Sequence, residues 1–288
     1  MLSAVEETIG EQGTSDFTPT AYFAALLALL PQSISQTSIL DPILASSAVY
    51  LLDIITPFCP FPLLKSKFAQ IVVHLAPALT NPDADAPLLK AGIGCLESLL
   101  LAQDGAAWAV PQKDVGPRRA LAGLLNLGID DRPKVRKRAQ EAVIKVLNNP
   151  PPSPSLNHPA AEMCAVTVLR SVVDLATAST TSSKGQHDPR LIHAIQLIHA
   201  VAKGGWPSTK LEGLVEALLN ISRSNNEFLT MAVFDVFEAI FKDGLTEVAG
   251  AKLPRIIDVC CPSRFHNMPH HSCHLFDIVS VFIFWGIS

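Results

Sequence analysis

Helix-start signals recur along this chain of 288 residues, and they constrain its fold more than any other feature. Thr18-Pro19, Asp41-Pro42, Asp85 with Pro87, Asp131 with Pro133, and Asp188-Pro189 each place a capping side chain beside a first-turn proline. Pro62, Pro117, Pro159 and Ser208 open further runs. Behind each start the apolar residues keep helical spacing, as in Leu191, Ile192, Ile195, Ile198 and Ala202, or Leu229, Val233, Val236, Phe237 and Ile240. No convincing alternating strand is present. The chain is 49% hydrophobic but only 6% aromatic, so Leu, Ala, Val and Ile carry the core. That composition excludes a disordered chain and suits packed helices better than a β-sandwich.

Taken in pairs, the helices start near residues 19, 62, 117, 159, 209 and 245. A period of about 45 residues lies within the range of HEAT or armadillo units. A single pair cannot bury both of its faces, so neighbouring pairs stack. The expected fold is all-α: a HEAT/armadillo-type α-solenoid, a right-handed superhelix of about five helix pairs. A compact helical bundle is the competing architecture.

The sharpest local pattern is Asp130-Asp131-Arg132-Pro133-Lys134-Val135-Arg136-Lys137-Arg138-Ala139. It has the form of the turn and second helix of a HEAT repeat. A turn carboxylate can accept from the free N–H groups of the helix start. It can also pair with an arginine one turn on, which predicts a structural ladder of Asp130, Asp131 and Arg136. At 100° per residue, Val135, Ala139, Ala142, Val143, Val146 and Leu147 share one face, and Lys134, Lys137, Arg138, Glu141 and Lys145 share the opposite one.

The stretches AVYLLDIITPF, PALTNPDADAPLLKAGIGCLESLLLAQ, GPRRALAGLLNLGIDDRPKVRKRAQEAVIKVL and NPPPSPSLNHPAAEMC resemble the N-terminal HEAT region of the ribosomal RNA-processing protein 12 family in its fungal form. The resemblance covers roughly residues 17–259 and includes loops as well as helices. It implies a karyopherin-like, non-enzymatic scaffold of the nucleus and nucleolus that shuttles to the cytoplasm. The implied partners are pre-ribosomal particles and rRNA, together with the GTPase Ran and nuclear-pore proteins, in rRNA processing and subunit export. Members of that family are several times longer than this chain.

Charge is unevenly spread. Residues 1–103 hold 3 Lys/Arg against 9 Asp/Glu, whereas residues 104–148 hold 9 against 5. The cationic face of residues 133–147 (Lys134, Lys137, Arg138 and Lys145), extended by Arg118 and Arg119, is therefore the candidate RNA or partner surface. A solvated helix face is the alternative, and a localisation peptide fits poorly because these residues read as helical. A generic HEAT adaptor that binds protein partners only is the competing function.

No nucleotide-binding, zinc-protease or serine-hydrolase motif occurs, so neither catalytic residues nor a cofactor are expected, nor a small-molecule substrate. The first 16 residues read as a flexible acidic end and residues 17–259 as the solenoid. In residues 260–288, Cys260, Cys261, His266, His270, His271, Cys273 and His274 crowd together without finger spacing. That tail reads as out-of-frame or non-coding sequence before a mobile tail or a zinc site. No secretory signal or bilayer-length apolar run is present, so no membrane is expected. Singly placed cysteines in helical patterns read as buried thiols of a reducing compartment.

Overall fold

The computed structural model describes residues 2–11, 17–110, 115–152, 157–181, 189–203, 205–222 and 227–242. Apart from one isolated bridge between Ile34 and Ile39, regular structure among them is helical. The helices are α1 (Leu2–Glu11), α2 (Pro19–Ser33), α3 (Pro42–Ile55), α4 (Phe61–Thr80), α5 (Ala86–Leu101), the single-turn α6 (Gly105–Ala109), α7 (Pro117–Leu127), α8 (Pro133–Leu147), α9 (Ala161–Thr181), α10 (Pro189–Lys203), α11 (Leu211–Ser222) and α12 (Glu227–Lys242).

Three of the predicted caps form, whereas Asp131 does not cap α8, whose N-cap residue is Arg132 without a side-chain cap bond. The Thr18 hydroxyl accepts from Ala21 N, Asp41 accepts from the amides of Ile43 and Leu44, and Asp85 accepts from Leu88 N. Each such bond satisfies an orphan donor and stabilises its helix by about 1 kcal/mol. Proline follows in the first turn, where its missing N–H costs nothing.

Two layers result. Helices α2, α4, α7, α9 and α11 stack in one, and α3, α5, α8, α10 and α12 in the other. Each helix packs on its pair partner and on the next helix of its own layer, the arrangement of an α-solenoid. Buried side chains from Val5 to Ile240 form one continuous core. Helix α5 packs closely on both α4 and α3 where it lacks side chains. A Cβ at Gly92 would lie 2.9 Å from Leu79 Cδ2, and one at Gly94 would overlap the Asp53 carboxylate of α3.

Two helices depart from the sequence reading. Leu2–Glu11 fold as α1 instead of a flexible end, because Val5 and Ile9 lie one turn apart and both are buried. Glu6 Oε1 accepts from the Tyr22 hydroxyl at 3.0 Å. The expected loop after Asp104 begins with α6, which exists to bury Trp108. The sixth pair start near 245 and the Cys/His tail lie outside the described residues.

Trp108 meets the His158 ring edge-on, with centroids 4.5 Å apart. Arg118 Nε donates to Trp108 O at 2.6 Å and its Nη2 to Pro159 O at 3.3 Å, joining two inter-repeat connections. His158 Nδ1 accepts from Ala160 N. Burial, with the Arg118 charge adding to it, pushes the His158 pKa down from 6.5 to about 4. Burial likewise pushes the Cys164 thiol up to about 12, so it stays protonated.

The unfolded chain therefore binds more protons than the folded one between these two His158 pKa values. Stability should be full above about pH 6.5 and should fall as pH drops toward 4, by up to about 3 kcal/mol from this histidine. Urea melts across that range should show the slope, and His158→Asn, which keeps an acceptor without a titrating ring, should reduce it.

Candidate functional site

Helix α8 buries the face that its periodicity predicts: Val135, Ala139, Ala142, Val143, Val146 and Leu147 are all within the core. Its charged face is not a uniform row of free cations. Arg138 Nη1 donates to Glu97 Oε2 at 2.5 Å, and Lys145 Nζ lies 2.6 Å from Glu97 Oε1. Glu97 belongs to α5, and its side chain is only 6% exposed. Arg138 and Lys145 are two helical turns apart, roughly 10 Å along the axis, so one carboxylate between them reaches both. Lys137 is 80% exposed, with Nζ 4.0 Å from Glu141 Oε1 one turn on. Lys134 is exposed.

The network extends to α3. Desolvation by burial raises the Asp53 pKa, helped by the nearby Glu97 charge and opposed by Arg138 and Lys90. Asp53 packs over the bare Cα of Gly94, and Arg138 Nη2 reaches the same point, 2.9 Å from where a Cβ would stand. Three successive helices of one layer thus meet through Asp53, Gly94, Glu97, Arg138 and Lys145.

This arrangement corrects the expected surface. Arg138 and Lys145 tie repeat to repeat, because burying Glu97 without partners would cost several kcal/mol. Arg118 does not extend the α8 face, being committed to the carbonyls of Trp108 and Pro159. Arg119 is exposed on α7, in the other layer. Glu97 was missed by sequence reasoning, since its partner Arg138 lies 41 residues away. A signal was present: Glu97 is the one carboxylate in the apolar run of α5, and such a residue needs a partner.

The turn before α8 also differs from its expected pairing. Asp130 is held by Arg132, with Nε–Oδ1 and Nη2–Oδ2 both 2.8 Å, so the fork is bidentate. Arg132 Nη1 then donates to Ala84 O at 2.6 Å, reaching the start of the preceding repeat's second helix. Arg136 instead donates to the carbonyls of Asp130 and Asp131, at 2.8 and 3.4 Å. The cause is local. Arg132 is the cap residue with extended backbone (φ −76°, ψ 111°), which folds its side chain back across the turn. Paired this way, the Asp130 carboxyl sits below its ordinary pKa, through the Arg132 side-chain bond first.

A two-layer stack of helix pairs, joined by the Arg132 bond to Ala84 and by a buried ionic link between repeats, defines an α-solenoid of HEAT type. Residues 1–248 match the family described as RRP12-like, N-terminal HEAT repeats, and the chain belongs to that family. It is 41% identical over 257 residues to ribosomal RNA-processing protein 12 of Saccharomyces cerevisiae, covering 84% of this chain and 21% of that protein. It is 30% identical over 245 residues to putative ribosomal RNA-processing protein 12 of Schizosaccharomyces pombe, covering 84% and 20%. A human RRP12-like protein is 25% identical over 264 residues, covering 89% and 19%. The chain spans about a fifth of the length of these relatives. The match starts at residue 1, so it includes α1.

Two substitutions separate the arginines. Arg132→Ala should destabilise by about 1–2 kcal/mol, losing a fork and a cross-repeat bond, whereas Arg136→Ala should cost less than about 1 kcal/mol. Denaturant melts of both variants check the order; equal losses would return the ladder role to Arg136.

Proposed function

We propose that the chain serves as part of a non-enzymatic HEAT scaffold in ribosome biogenesis, acting in rRNA processing and in nuclear export of pre-ribosomal subunits. Its place is the nucleus and nucleolus, with passage to the cytoplasm alongside its cargo. Its partners are pre-ribosomal particles and rRNA, with Ran GTPase and nuclear-pore proteins as transport partners. The observation that carries this reading is the match to two fungal proteins named for ribosomal RNA processing, at 41% and 30% identity over 84% of the chain.

The geometry refines how RNA would be met. Phosphate contact falls to the exposed Lys134 and Lys137, with Lys145 contributing in part because it is 58% exposed despite its bond to Glu97. Arg138, 26% exposed, is mainly structural. A second reading, an adaptor for protein partners only, is favoured by the same fact: one buried carboxylate already answers two of the four cations.

A salt titration of binding to a single-stranded rRNA fragment separates the readings. Lys134→Gln with Lys137→Gln should weaken binding and lower the slope of log K against log salt by roughly 0.7 per lost phosphate contact. Stability should change little, because exposed charges are worth at most about 1 kcal/mol. Wild-type protein that fails to bind RNA at low salt would favour the protein adaptor.

A further inference from the structure

The first helix of the second layer carries a surface that none of the above uses. On α3, Ile43 is 83% exposed, Tyr50 58% and Ile54 46%. Their spacing of seven and four residues puts them on one stripe, directly opposite the buried Ala45, Ala48, Val49 and Leu52. Ser46 and Ser47, both half-buried, lie between Ile43 and Tyr50 along the helix. Phe58, in the following 3-10 turn, is also 72% exposed. Scattered apolar residues on a surface are ordinary, but large ones aligned on one exposed helix face offer anchors for a partner.

Charge decides the kind of partner. Residues 1–64 contain no Lys or Arg and six carboxylates: Glu6, Glu7, Glu11, Asp16, Asp41 and Asp53. Asp41 caps α3 beside Ile43 and is exposed, so the stripe begins at a negative charge. Asp53 flanks Ile54 at the other end. Of the two cations whose charge acts on it, Arg138 is paired with Glu97 and Lys90 stands on the neighbouring α5. Helix α3 itself carries no cation for a phosphate backbone, and a second acidic copy would bring like charges together. We infer that the α3 stripe is a docking site for a protein segment that folds as a cationic amphipathic helix, its apolar row on Ile43, Tyr50 and Ile54 and its Lys/Arg flank toward Asp41.

This inference stands on exposure and charge alone and does not depend on the rRNA reading. It is tested on the full chain with a fluorescein-labelled, 18-residue probe peptide carrying Leu at i, i+4, i+7 and i+11 and Lys on its other face. A twin peptide carries Glu for Lys. By anisotropy the Lys peptide should bind at least about tenfold more tightly than the twin, as expected where apolar anchors and charge act together. Combined Ile43→Ser, Tyr50→Ser and Ile54→Ser should lower affinity about tenfold, because they remove the anchors and keep every carboxylate. Its circular dichroism and melting temperature should match wild type, since the side chains are exposed. Equal binding of the twin, or unchanged binding by the triple variant, would overturn the proposal. So would a wild-type dimer in light scattering that the triple variant dissolves, which would make a second copy the occupant.

Discussion

Glu97 is a carboxylate placed where its helix offers almost nothing but apolar neighbours, and the stacking of the second layer turns on how it is satisfied. Taking an ionised carboxylate out of water costs several kcal/mol unless opposite charge and hydrogen bonds compensate. Arg138 and Lys145 supply both, from the next helix of the layer and from either side of Glu97 along it. That bracket fixes the axial register of α8 on α5. Aliphatic ridges alone tolerate sliding; a buried carboxylate between two cations does not. Gly94, three residues earlier on α5, lets Asp53 of α3 approach the same arginine, so the ionic link passes across three repeats.

Much of the fold could be read from the chain because its information is local. A capping side chain, a proline and an apolar stripe lie within one helix, so α2 to α5 and α7 to α12 were all foreseeable, and the pair period gave the solenoid. Helix α1 was hidden because Val5 and Ile9 make a two-residue stripe among carboxylates. Helix α6 was hidden because a single turn has no period. Its reason to exist is Trp108, which is buried against His158 from a later connection.

The candidate site was less legible, for a different reason. Sequence periodicity says which side chains leave α8 opposite its core. It cannot say what stands beside them. Lys134, Lys137, Arg138 and Lys145 look alike in the sequence, yet two are drawn inward by a residue of another repeat. Arg132 and Arg136 were likewise separable only by the extended backbone of the cap. The outer surface of the second layer therefore divides by repeat: apolar and acidic on α3, ionic and largely self-satisfied between α5 and α8, with exposed cations at Lys134 and Lys137.

The central claim is that the α8 cations serve first to bind the repeats together through Glu97. A double-mutant cycle of Glu97→Gln and Arg138→Met, read by urea unfolding, tests it most directly. The account predicts a coupling energy above about 1 kcal/mol, as for a partly buried pair in one network. Additive losses, with coupling near zero, would contradict it and return Arg138 to the solvated face.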